Sequence, residues 1–196
     1  MPRYDERTAL IVTDVQNDFA DPKGSLYVRG AEAVVEAVND EIAAALAAGA
    51  TVVYTQDWHP ESTPHFEKDG GVWPVHCVGG TWGSGFHPRL HVAGDAEFVK
   101  KGTGGEDGYS AFSVRDPQSG RTRSTELDAV LVRHGIERVV VVGLATDYCV
   151  KETVLDARRR RLDTEVPMAA VAAVDVDPGD GDAALAEMRE AGADLV

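Results

Sequence analysis

The chain has 196 residues, 43% of them hydrophobic, enough for one α/β domain with a sizeable core, and no shift in composition marks a second. A net charge of −14 disfavours a surface that wraps nucleic-acid phosphates or docks on an anionic membrane, and leaves small-molecule chemistry open. No apolar run approaches a bilayer span, and the opening MPRYDERTAL lacks the basic-then-apolar layout of a secretion signal. The expected compartment is therefore the cytoplasm, and Cys77 and Cys149 are expected as separate reduced thiols.

Thr8 to Asp14 (TALIVTD) is an aliphatic and β-branched run ending in an acid, the pattern of a buried strand in a parallel sheet. Ala31 to Ala48 sets Val34, Val38, Ile42 and Leu46 on one helical stripe, with Gly49 as the C-terminal stop. Thr51 to Asp57 (TVVYTQD) is a second strand, so the order β, α, β predicts a parallel crossover unit. Over about 58–95 periodicity fails while Pro, Gly, His and Trp accumulate, a loop too long for an ordinary connection and of the kind that carries function. Glu97 to Lys100 reads as a strand and Ser124 to His134 as a helix, with Thr125 and Asp128 at capping-box spacing. Arg138 to Val142 (RVVVV) is the strongest strand signal, and the residues after Gly143 read as a helix to about Arg160. A strand near Thr164 to Val166, a helix from about Asp182 to Ala191 and a closing ADLV strand complete a doubly wound α/β fold in a single domain spanning 1–196.

Two groups of residues point to chemistry. Cys149 lies in VVGLATDYCV, between the strongest strand and the next helix, where backbone N–H groups and the positive dipole end favour a thiolate and can receive an oxyanion. Asp14, at another strand's carboxyl end, and Lys101, ending EFVKK, are the groups that could activate it. Each has a bland reading: a small buried thiol, a turn aspartate, a solvated lysine. In the long loop, Asp57, His59, His65 and His76 offer one carboxylate and three imidazoles, a mixed oxygen and nitrogen set that suits one divalent ion, Zn2+ or alternatively Fe2+ or Mn2+. His87, His91 and His134 read as surface or structural residues. Cys77 reads as a ligand or structural thiol rather than a nucleophile, since no strand-to-helix turn places it at a dipole end. Arg158 to Arg161 reads as a solvated helix end.

With Asp14, Lys101 and Cys149 in that order, the chain resembles the isochorismatase-like cysteine hydrolases. DVQNDF, TQDWHP, WPVHCVGGT, KGT, GYSAF and GLATDYCV narrow the resemblance to the nicotinamidase/pyrazinamidase family, over nearly the whole chain. The resemblance implies an isochorismatase-like fold with a six-stranded, mostly parallel sheet in three layers, and hydrolysis of nicotinamide to nicotinate and ammonia within pyridine nucleotide salvage. It implies that Asp14 takes the Cys149 proton and passes it to ammonia while Lys101 stabilises the charged pair. It further implies a cis peptide between Leu144 and Ala145, an oxyanion hole from the Ala145 and Cys149 N–H groups, a metal that holds the pyridine nitrogen, and a substrate pocket walled by Phe19, Trp73, Tyr109 and Ala145. The partner implied is a small carboxamide, with no nucleic acid or membrane; a homo-oligomer is left open. Three rivals stand beside this reading: a related hydrolase of N-carbamoyl or ureido amides, a metal-hydroxide hydrolase with Cys149 in the core, and a non-catalytic scaffold.

Overall fold

Strands that are apolar on both faces need helices on both sides, and their parallel pairing needs a long return between each. In the computed structural model, which describes residues 3–196, the first half contains β1 (Thr8–Thr13), the one-turn α1 (Asn17–Ala20), α2 (Ala31–Ala47), β2 (Thr51–Asp57) and β3 (Glu97–Lys101). The second half contains β4 (Ser113–Arg115), β5 (Thr122–Ser124), α3 (Leu127–Arg133), β6 (Arg138–Leu144), α4 (Lys151–Arg159), β7 (Asp163–Val166), β8 (Val171–Ala172), α5 (Asp180–Glu190) and β9 (Asp194–Leu195).

The main sheet follows the order β3-β2-β1-β6-β7-β9, and β8 adds a short seventh strand beside the end of β6. Every pair in it is parallel. The chain winds outward from β1 through β2 to β3, then returns to β6 on the other side of β1. The carboxyl ends of β1 and β6 therefore flank the topological switch point, where open α/β sheets place their ligands. Leu10, Val12, Val140 and Val142 pack on one face with Val34, Val35, Val38 and Ile42 of α2. Ala9, Ile11, Val139 and Val141 pack on the other with Leu127 and Leu131 of α3, Val154 of α4 and Met188 of α5. The period-2 alternation thus feeds two cores, one on each side of the sheet.

Several boundaries differ from those read in the sequence. Leu46 is half-exposed, and Ala45 fills the last core position of α2, because the long stripe drifts around the helix. Gly49 closes the helix as expected, at φ 74°, with Ala50 N–H donating to Ala45 O at 2.9 Å. The helix expected from Ser124 begins at Leu127: Ser124 belongs to β5, and Thr125 Oγ1 accepts the Leu127 N–H at 3.2 Å. The β4–β5 hairpin went unread, although DPQSG between its strands is a turn signal and Asp116 Oδ1 accepts the N–H groups of Gln118 and Ser119. β6 continues through Gly143 to Leu144, and a five-residue π-helical turn (Thr146–Val150) separates it from α4. Only glycine suits position 143: its φ is 108°, and a Cβ there would lie 2.1 Å from Thr13 O on the paired strand.

The arginine run is less solvated than expected. Arg158 donates to Leu162 O at 2.6 Å, and Arg160 grips Asp128 with two bonds at 2.7 and 2.9 Å while covering the Phe112 ring. No helix among the described residues is long and apolar enough to cross a membrane.

Candidate active site

Three backbone devices deliver the first group to the crevice. Asp14 follows β1 in the left-handed region (φ 50°), a conformation aspartate tolerates better than most residues, with its N–H donating to Thr55 Oγ1 at 3.2 Å. The Thr55 hydroxyl donates back to Asp14 Oδ1 at 2.6 Å. Lys101 ends β3, and its Nζ donates to Asp14 Oδ2 at 2.6 Å and to Gly108 O, and lies 3.1 Å from Asp57 Oδ1. Cys149 sits in the π-helical turn, held by Tyr148 and Val150 N–H groups donating to Ala145 O, each at 3.1 Å. One carboxylate oxygen from each of Asp14 and Asp57 and the Cys149 sulfur all lie within 4.8 Å of one another. The peptide between Leu144 and Ala145 is cis, as the resemblance implied.

Burial governs the charges here. The Asp14 carboxyl is raised to about 6, by burial foremost and by the neighbouring Asp57, against the pull of Lys101. For Lys101, burial alone would lower the pKa, but Asp14, Asp57 and the thiol outweigh it and keep the ammonium charged. Burial pushes the Cys149 thiol well above its ordinary value, with both carboxylates adding to Lys101's failure to bring it down. This direction is opposite to the lowered thiol expected at the helix end, and an Asp14 carboxylate oxygen lies within 4.8 Å of the sulfur.

The second group converges equally well. Ligand nitrogens of His59, His65 and His76 lie within 4.8 Å of one another, all three residues buried. Asp57 stands between the two groups, with Oδ2 at 3.9 Å from His59 Nε2 and Oδ1 beside Lys101. Both His59 ring nitrogens are buried without a hydrogen-bond partner, a state costly for a bare imidazole and natural for a metal ligand. Burial lowers His59 to about 4 and lowers His76 too, so both rings are neutral near pH 7 with lone pairs available. His76 Nδ1 donates to Pro74 O at 2.7 Å, and His65 Nδ1 lies 2.7 Å from Asp107 Oδ1. These observations fit a divalent cation.

Between the groups lies a pocket whose walls include Phe19, Trp73, Tyr109, Ala145, Cys149, His65 and His76. Trp73 Nε1 donates to Tyr109 Oη at 2.8 Å, closing one side.

Sequence reading missed several residues that frame the site. Gln16 clamps Asp57 by accepting its N–H and donating to its carbonyl, both at 2.8 Å. Tyr148 meets Trp73 edge-on with ring centroids 4.9 Å apart. Gln16 lies inside the DVQNDF motif and Tyr148 inside GLATDYCV, and both could have been singled out there; Asp107 carries no local pattern. Cys77 lies outside both clusters, with its N–H donating to Asp18 Oδ2 at 2.7 Å, so it is a structural thiol. His87 is a buried structural residue rather than a surface one.

Residues 8–196 match the isochorismatase domain model. The chain belongs to the isochorismatase family. It is 41% identical to the nicotinamidase/pyrazinamidase of Mycobacterium tuberculosis over 96% of this chain and 97% of that one. Its fold is similar to that of the Pyrococcus horikoshii pyrazinamidase in complex with zinc, at TM-score 0.86, 36% identity and coverage of 97% and 98% of the two chains. It is also similar to PnC1 from L. infantum in complex with nicotinate, at TM-score 0.87, 36% identity and coverage of 98% and 94%.

Proposed function

We propose that this chain, a hydrolase acting on amides, converts nicotinamide to nicotinate and ammonia with Cys149 as the nucleophile. One observation carries the reading: Cys149, whose sulfur lies within 4.8 Å of a carboxylate oxygen of the Lys101-paired Asp14, lines the same pocket as His65 and His76 of the three-histidine cluster. A flat ring between the aromatic walls, with its nitrogen toward the histidines, would bring a carboxamide carbon to the thiol.

Asp14 takes the thiol proton as the sulfur adds to the carboxamide carbon. The Ala145 and Cys149 N–H groups receive the negative oxygen of the tetrahedral intermediate. The same proton passes from Asp14 to the amide nitrogen, and ammonia leaves with the C–N bonding pair, forming a thioester. Asp14 then deprotonates a water that adds to the thioester carbon, and the sulfur leaves and recovers a proton as nicotinate is released. Throughout, Lys101 keeps Asp14 charged when it must act as a base.

His59, His65 and His76, with Asp57, would hold a divalent ion, Zn2+ or alternatively Fe2+ or Mn2+, which when bound supplies a Lewis-acid contact for the ring nitrogen. The orphaned His59 nitrogens support this, as does the zinc in the P. horikoshii relative. The nicotinate in the L. infantum relative supports the substrate.

Ammonia release from nicotinamide, set beside a panel of N-carbamoyl and ureido compounds, tests the reading. Turnover of nicotinamide is expected, and Cys149→Ala is expected to abolish it with metal content unchanged. Near-parent activity in that variant would assign the chemistry to a metal-bound hydroxide, preference for the ureido panel to the rival hydrolase, and silence on every amide to a scaffold.

A further inference from the structure

The segment between Lys101 and Tyr109 meets the histidine cluster directly at two points and through Thr63 at a third. A Cβ at Gly102 would lie 2.6 Å from His59 Cε1, so the backbone passes directly behind that ring. Thr63 Oγ1 donates to Gly105 O at 2.7 Å and accepts the His65 N–H at 3.2 Å. Asp107 Oδ1 lies 2.7 Å from His65 Nδ1, with side chains 14% and 4% exposed. Asp107 is itself held by the hairpin, exchanging backbone hydrogen bonds with Arg115 at 2.8 and 2.9 Å.

A carboxylate only accepts, so this contact puts the hydrogen on Nδ1 and leaves the Nε2 lone pair for the cluster. Pro74 O does the same for His76. Only the partner of His65 is charged, and it is the only one of the two that is a side chain open to substitution. A carboxylate behind an imidazole fixes its rotation and raises its basicity as a ligand.

We propose that Asp107 is a positioning residue: its carboxylate, braced by the β4–β5 hairpin, holds His65 in the tautomer and orientation that the three-histidine cluster needs to bind a divalent cation. The inference rests on reading His59, His65 and His76 as the metal site. It makes the hairpin part of the frame of that site.

The test uses the full chain stripped by a chelator and titrated with Co2+, whose visible absorption reports ligand geometry and occupancy. Asp107→Ala is expected to weaken Co2+ binding by about 10- to 100-fold and to alter the bands. Asp107→Asn, whose amide oxygen accepts the same N–H, is expected to restore most of the affinity. In a His65→Ala background, Asp107→Ala is expected to cost nothing further. Should Asp107→Ala fail to fold, Asp107→Ser, too short to reach Nδ1, takes its place in both comparisons. Parent-like affinity and bands in the Ala variant, or an undiminished loss in the His65→Ala background, would overturn the role of Asp107 alone. A parent chain that binds no Co2+ would overturn the metal reading and this one with it.

Discussion

The Lys101 ammonium and the Asp14 carboxylate meet at 2.6 Å with neither side chain exposed. Each charge is tolerable at that depth only because of the other, and Asp57 adds a second negative charge against the same ammonium. Lys101→Met leaves two carboxylates facing one another without a cation. That variant is expected to lose about 3–5 kcal/mol of stability, read by urea unfolding. Asp14→Asn keeps the shape but removes the base, and kcat for nicotinamide is expected to fall about 10²- to 10⁴-fold. A fully active Asp14→Asn enzyme would rule out Asp14 as the proton acceptor.

The pH profile carries its own signature. Burial raises the Asp14 carboxyl from its ordinary value of 3.8 to about 6. The working base is the deprotonated form, so activity is present above that value and lost as pH falls through it. On the acid side kcat/KM is expected to drop about tenfold per pH unit. Rates that stay flat to about pH 4.5, where a carboxyl at its ordinary pKa is still ionised, would contradict the raised value.

Trp73 offers a separable test of the pocket wall. Trp73→Phe keeps an aromatic face but loses the donor to Tyr109 Oη, a neutral hydrogen bond of 2.8 Å. The expected cost is about 1 kcal/mol, or about fivefold in KM, with kcat nearly unchanged. A large fall in kcat with KM constant would move Trp73 from holding the ring to shaping the transition state.

Metal content tests the ligand set directly. Asp57→Ala combined with His59→Ala removes two of the four groups and, in protein purified without added ions, is expected to reduce bound metal to background by elemental analysis. Undiminished metal in that double variant would place the ion elsewhere.

Much of the frame was legible because it depends on local patterns. The strands Thr51–Asp57 and Arg138–Leu144 announce themselves by β-branched runs, and the helix ending before Gly49 by its periodicity and stop. The β4–β5 hairpin was missed because its strands are three residues each and β5 is wholly exposed, leaving little apolar pattern to read. The Ser124 boundary slipped because Ser124 pairs with Ser113 across that unread hairpin, a contact that the local pattern around Thr125 does not reveal.

At the site, the sequence by itself determined the chemical types: one thiol after the strongest strand, an acid and a lysine at two other strand ends, and a carboxylate with three imidazoles around one loop. Their order along the chain was enough to suggest the family. Tertiary structure alone decided how they act together. Asp57 proved to stand beside both Lys101 and His59, joining two groups the sequence presents as separate. Burial, with the Asp14 and Asp57 carboxylates of other strands, pushes the Cys149 thiol up, where its place along the chain suggested a lowered one. Residue identity is written in the chain, but desolvation and Coulomb interactions act through space, and only the folded sheet sets those distances.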